Sequence, residues 1–344
     1  MKKSVKVTAS ILTAAVFVGL AAGCGGAGQQ GKSTASAGKG EPVTVKVGYS
    51  PALCQAPLFI AKEKGYYKDA GINVELVPVE GAQANEAIGA GKFDAMQTLV
   101  MKTIHPWQNG LPVKATAGIH SGCVRVVARD DGSVNSIKDL KGKKIGVPGL
   151  ADTGTVVTQR ALAKNGINAN PKSMEVEFVV IDRNSLPQAL ESGQVDAIAM
   201  TDPVGALAEQ KYGFKAIVDT AVSPEFKDEY CCDLVVTDKL LKDNPEAAKK
   251  LTEAVMKGAL YVHEHPEETA KLLSEKKYIS GDVDFNAKLL STYNYKPSVK
   301  GGYTALENSA QALSDLGIVD KTEGKKFADH YFFYFDGLAD TPTL

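Results

Sequence analysis

The stretch Val45–Val77, VKVGYSPALCQAPLFIAKEKGYYKDAGINVELV, decides how this chain folds. It opens with alternating β-branched residues, Val45 and Val47 after Thr44, which read as a strand. The loop Ser50–Pro57 then leads into LFIAKEKGYYKDA, whose apolar residues recur at helical spacing. Gly71 stops that helix and INVELV begins a second strand. Strand, loop, helix and strand in this order form a βαβ unit with a parallel pair. The loop leaving the carboxyl end of such a strand faces a crevice where ligands bind.

Working outward, the pattern occurs twice. AGINVELV followed by AIGAGKFDAM in the first half answers NGINANPKSMEVEFVV followed by ALESGQVDAI in the second. Two similar α/β halves are therefore expected, each built from βαβ steps. Asp94 and Asp196 occupy the same place in the echo and read as turn residues that hydrogen-bond locally. Ala84–Ala90 reads as a short helix, Phe93–Gln97 as a buried strand, and KATAGIHSGCVRVVARD as two strands broken at Ser121-Gly122. From Leu234 onward a strand is followed by helices, with Asn244-Pro245 as a helix start and the aromatic run Tyr331–Phe335 as core or docking surface.

The 344 residues, 44% hydrophobic and 23% charged with a net charge of −1, suit a globular protein of two domains and offer no polybasic surface for nucleic acid. Lys2, Lys3 and Lys6 followed by apolar Val7–Leu20 read as a secretory signal. LAAGC resembles the lipobox of bacterial lipoproteins, with Cys24 lipidated and Ala21 where leucine is commoner. Loss of residues 1–23 would take the charge to −4. Residues 24–42, rich in Gly, Ser, Ala and Gln, read as a tether. Gly26–Ser33 satisfies the phosphate-loop pattern but has neither the preceding strand nor the following helix that the motif needs.

The segments GYSP…APLFIAKEKGYYKDAGINVELVPVEG, EAIGAGKFDA, SIKDLKGKKIGVPG and QALESGQVDAI resemble the nitrate/sulfonate/taurine-binding family of ABC-importer solute-binding proteins, relatives of thiamine-pyrimidine-precursor binders. The resemblance implies an α/β, two-lobe periplasmic-binding-protein-like fold of type II. Each lobe would be a mainly parallel sheet flanked by helices, and the chain would cross between lobes twice, at Val124–Asp130 and Leu234–Asp238. Residues 1–23 would be signal, 24–42 tether, 43–127 plus 236–344 lobe I, and 128–235 lobe II. The partners implied are a small solute, the importer's permease subunits, and a membrane through Cys24. A monomer without cofactor, catalysis or nucleic-acid partner is expected.

Carried over by position, Ser50, Leu53, Cys54, Gln55, Gln83, Gln97 and Thr98 would line the cleft from lobe I. Asp152, Thr153, Thr155, Thr201 and Asp202 would line it from lobe II. Helix starts and strand-end loops there present N–H groups to oxyanions. Asp152 and Asp202 would repel an inorganic anion unless they cap or turn the chain, which leaves room for a zwitterionic or cationic ligand.

Besides Cys24, the chain has Cys54, Cys123, Cys231 and Cys232, with no CxxC spacing. In the resembled fold all four, with His120, fall at the cleft and its two crossings. Three readings stay open: buried inert thiols, a disulfide such as Cys54–Cys123, or a soft-ligand site for a metal or sulfur-bearing solute, with Cys54, Cys123, Cys231 and Cys232 as candidates. Enzymes that make thiamine pyrimidine carry a cysteine cluster in a comparable region, with different spacing. A pyrimidine-synthesis-like enzyme pairing Cys123 with His120, His263 or His265 is the remaining alternative.

Overall fold

Three strands rich in β-branched and small apolar residues form the centre of the protein: VKATAGIH, VRVVA and CDLVVT. Nearly every side chain in them is buried, the pattern of strands covered by helices on both faces. The computed structural model describes residues 42–344. The signal, the Cys24 site, the phosphate-loop pattern and all of the tether but Pro42 lie outside the described residues.

Ten strands build two five-stranded sheets. They are β1 (Thr44–Tyr49), β2 (Asn73–Pro78), β3 (Ala95–Leu99), β4 (Val113–His120), β5 (Val124–Ala128), β6 (Lys144–Val147), β7 (Glu177–Val180), β8 (Ala197–Thr201), β9 (Lys215–Asp219) and β10 (Cys232–Thr237). The first sheet has the order β2-β1-β3-β10-β4 and the second β7-β6-β8-β5-β9. Each contains one antiparallel strand, β10 or β5, among four that run the same way. The two orders are the same pattern: a first strand flanked by the second and third, then a strand from a crossing, then the fourth.

The echo in the sequence is this repeat. Asp94 Oδ2 accepts the N–H of Lys46 at 2.9 Å, and Asp196 Oδ2 accepts that of Lys144 at 2.8 Å. Each carboxylate ties a short turn to the first strand of its own sheet.

The crossings lie earlier than expected. Boundaries at 127/128 and 235/236 would cut β5 and β10, whereas the ladders keep each strand whole, β5 in the second sheet and β10 in the first. The chain leaves the first sheet at Ser121–Cys123, where Gly122 has φ +77° and packs against Ala221. A side chain there would meet the Ala221 Cα at 2.6 Å in a conformation that only glycine adopts freely. The chain returns between Thr220 and Cys231.

The C-terminal half supplies helices Pro245–Glu264, Pro266–Glu275, Val283–Thr292, Val299–Asp315 and Gly324–Tyr331 around the first sheet. Asn244 precedes Pro245 as expected, although its side chain makes no capping bond. Phe332 and Phe335 are core and Tyr334 is exposed, so the aromatic run packs with one edge in solvent.

Candidate functional site

The loop after β1 forms a 3-10 turn at Leu53–Gln55 and then the helix Ala56–Glu63, with Pro57 in its first turn. Its polar groups mostly hold one another. Gln55 Oε1 accepts the Ser50 N–H (2.9 Å), and Ser50 Oγ donates to the Val79 carbonyl (2.9 Å). Gln55 Nε2 donates to the Gln97 carbonyl (3.3 Å), while Gln97 Nε2 donates to that of Cys54 (2.6 Å). Gln97 Oε1 is buried with no partner among the described residues. Thr98 meets the Thr103 hydroxyl (3.3 Å), and Gln83 is exposed. Leu53 is core, and its carbonyl accepts the Tyr295 hydroxyl (3.0 Å).

In the second half, Asp152 caps helix Thr153–Lys164, its Oδ1 accepting the Gly154 N–H at 3.0 Å. Thr155 Oγ donates to the Gly149 carbonyl (2.7 Å), and the buried Thr153 hydroxyl has no partner among the described residues. Sequence reasoning missed Arg183, which donates to the Thr201 hydroxyl (2.6 Å) and lies 3.6 Å from Asp152 Oδ2. It also missed Lys102 on helix Val100–Gln108 of the first half, which feels the charges of both Asp152 and Arg183. Burial lowers the Lys102 pKa; Asp152 opposes the fall and Arg183 adds to it. Beside them a cavity of about 280 Å³ runs between helices Val100–Gln108 and Thr153–Lys164, lined by Lys102, Thr155 and Gln159 among others.

Asp202 is committed elsewhere. Its carboxylate is within 3.1 Å of Arg125 Nε through both oxygens, accepts the Ala206 N–H, and meets the Tyr293 hydroxyl at 3.3 Å. Arg125 also pairs with Glu209 (3.0 Å) and Asp219 (2.7 Å). Burial lifts Asp202 to about 6 against the pull of Arg125.

The sulfur-bearing residues converge. Ligand atoms of His120, Cys123, Cys231 and Cys232 all lie within 4.8 Å of one another. Cys123 Sγ is 3.1 Å from Cys231 Sγ, which is 3.9 Å from Cys232 Sγ and 3.5 Å from His120 Nδ1. All four cysteines are free thiols. Two strand ends and one turn place them: His120 ends β4, Cys123 precedes β5, and Cys231 and Cys232 open β10. Cys231 N–H donates to the His120 carbonyl at 3.0 Å, which brings both crossings together. Tyr293 and Tyr295, also unforeseen, cover the imidazole. Hydrogen bonds from Cys231 and Cys232 hold the Cys123 thiol well below its ordinary range, whereas burial pushes those two well above theirs. Cys54 joins the edge of the group: a hydrogen bond with Cys232 brings its pKa down to about 7 against burial, with His120 helping. His263 and His265 are exposed at the end of helix Pro245–Glu264 and pair with no cysteine among the described residues.

Two mixed sheets of one strand order, joined by two crossings with strand-end loops between them, define a periplasmic-binding-protein-like fold. The chain belongs to the NMT1/THI5-like family, which matches residues 54–269. It is 27% identical over 280 residues to a Bacillus subtilis (strain 168) protein named for binding aliphatic sulfonates, covering 79% of each chain. It is 24% identical over 271 residues to a Saccharomyces cerevisiae 4-amino-5-hydroxymethyl-2-methylpyrimidine phosphate synthase, covering 74% of each. In structure it is similar to the periplasmic aliphatic sulphonate-binding protein SsuA of Escherichia coli, with TM-score 0.68, 16% identity, and coverage of 85% of this chain and 100% of that one. The nitrate-binding protein NrtA of Synechocystis PCC 6803 gives TM-score 0.68 at 16% identity, covering 85% and 86%. These two structures share its fold.

Proposed function

We propose that this protein is the extracytoplasmic solute receptor of an ABC importer, anchored through Cys24, which captures a small anionic or zwitterionic organic solute between its halves. The halves act as lobes that close about the two crossings, and the importer's permease reads the closed form. One observation carries the choice of solute. Lys102 of the first half, whose Nζ donates to the Gly81 carbonyl at 2.6 Å, and Arg183 of the second, 3.6 Å from Asp152 Oδ2, bring two cations to a region with one carboxylate. Asp152 and Asp202, which argued against an anion, each have a structural partner: a helix start for the first, Arg125 for the second. Relatives named for aliphatic sulfonates and nitrate point the same way.

The test is thermal denaturation of the purified protein with alkanesulfonates, taurine, nitrate and neutral aminopyrimidines. At a hundredfold excess over Kd, a bound solute stabilises the fold by about 2.7 kcal/mol. Sulfonates should raise the melting temperature, and Lys102→Ala or Arg183→Ala should abolish the rise while leaving the free protein folded. A rise with the neutral pyrimidine alone, unchanged in both variants, would refute the anionic site. No rise with any of these solutes would refute the receptor reading for them.

A further inference from the structure

We infer that His120, Cys123, Cys231 and Cys232 form a closed, tetrahedral zinc site that clamps the two crossings, and that this ion is part of the hinge and is not cargo. The argument is first one of distances. Ideal tetrahedral zinc, with bonds of about 2.3 Å to sulfur and 2.0–2.1 Å to nitrogen, sets S···S edges of about 3.8 Å and S···N edges of about 3.5 Å. Three of the six edges are 3.1 and 3.9 Å between sulfurs and 3.5 Å from sulfur to imidazole, and all six lie within 4.8 Å. The departures of those three from the ideal edges are under about 1 Å, the scale of side-chain rotation.

Donor chemistry agrees. Three thiols and one imidazole make a soft set of four, the count that zinc fills in structural sites. Apolar packing does not account for the group. The imidazole is wholly buried, yet its Nδ1 has only long contacts, 3.3 Å to the Ser121 carbonyl and 3.5 Å to Cys231. Its Nε2 has no partner among the described residues. Coordination through Nδ1 would replace those two long contacts with one strong bond.

Topology says what the ion does. His120 and Cys123 flank the outgoing crossing, and Cys231 and Cys232 end the returning one, so a single ion would join the segments about which the halves move. The four donors are between 0% and 7% exposed, and all four positions of a tetrahedron are filled by protein. A deeply buried set that fills all four positions is the arrangement of a structural ion, and that favours a hinge role over cargo. Cys54 is not among the four converging donors and is not needed as a fifth ligand.

The test uses the purified protein, reduced and anaerobic, loaded with Zn²⁺ or Co²⁺ and freed of excess metal. One equivalent of zinc is expected, and the cobalt form should show thiolate charge-transfer and tetrahedral ligand-field bands. Cys123→Ser, Cys231→Ser and His120→Ala should each weaken binding by more than about 100-fold, beyond the usual effect of losing an outer partner. Cys54→Ser should keep one equivalent and the cobalt spectrum. Should ligand variants fail to fold, alkylation of the wild-type protein decides: zinc should slow modification of Cys123, Cys231 and Cys232 relative to chelator-treated protein. No metal bound with all four thiols titrating as free, a Cys123–Cys231 disulfide in the isolated protein, or one equivalent retained without Cys123 and Cys231 would each overturn the proposal. Solute binding is measured separately, so failure of the receptor reading would leave this one standing.

Discussion

Replacing Arg125 by Met tests whether the second sheet depends on one buried cation. Arg125 rises from β5, with its side chain 10% exposed, against Asp202 at 2%. Coulomb's law at their 3.0 Å separation, with an effective dielectric constant of about 20, gives an attraction of about 5 kcal/mol. Removing one partner of such a pair typically costs about 3–5 kcal/mol, because the other charge stays buried. Glu209 and Asp219 would lose the same cation, but at 27% and 16% exposure water reaches them more readily. The expected cost is therefore set by Asp202. At roughly 2–4 °C per kcal/mol, the melting temperature should fall by about 6–20 °C in differential scanning calorimetry. Adding Asp202→Asn removes the stranded charge, so the double variant should be more stable than Arg125→Met alone, with a coupling of about 1–3 kcal/mol. A loss below about 1 kcal/mol for Arg125→Met, or a double variant less stable than the single, would refute the reasoning.

Four further substitutions probe the frame by the same calorimetry. Gly258→Ala puts a Cβ onto the Pro57 carbonyl where helices Ala56–Glu63 and Pro245–Glu264 cross, and should cost about 1–3 kcal/mol from overpacking. Asp94→Ala and Asp196→Ala each remove a carboxylate–backbone bond to a first strand; each should cost about 1 kcal/mol, and the double variant should show the sum because the sites lie in different sheets. Asp152→Ala should cost about 1 kcal/mol as a lost cap, and should also tighten binding of an anionic solute by freeing Arg183.

The sequence carried the fold because its instructions are local and repeated. Val45–Val77 spells strand, turn, helix and strand within 33 residues, and the GKFDA/GQVDA echo marks the same turn in both halves. The crossings were placed a few residues late because hydropathy is continuous through VRVVA and CDLVVT. Only the ladders reveal which sheet each strand joins. Convergence of the cysteines could be foreseen once both crossings were set side by side. Lys102 and Arg183 could not be foreseen that way, since a single cation on an otherwise apolar helix, or in a polar turn, carries no periodic signal. One clue to Arg183 was available: Glu80-Gly-Ala-Gln and Asp182-Arg-Asn-Ser occupy matching places in the echo, and each forms a 3-10 turn at the mouth of the cleft. Tyr293 and Tyr295 reach the hinge from more than 60 residues beyond Cys232, a separation over which no local pattern speaks.

The repeat also explains why the chemistry divides into two places. Whatever the halves share, such as the turn carboxylates and the strand-end loops, is scaffold, because a duplicated feature serves each sheet separately. The features without a counterpart lie where the symmetry fails. Lys102 and Arg183 come from different positions in their halves, and the proposed anion site draws one cation from each. The crossings belong to neither repeat, and there His120, Cys123, Cys231 and Cys232 gather under Tyr293 and Tyr295. Lys102 and Arg183 sit in first turns of helical segments, whereas the sulfurs sit where the chain passes between the sheets, just before β5 and at the start of β10. The two proposals are therefore separable: a change at Lys102 should leave the cobalt spectrum of the cluster intact, and a change at Cys123 should act on solute only through how the halves close.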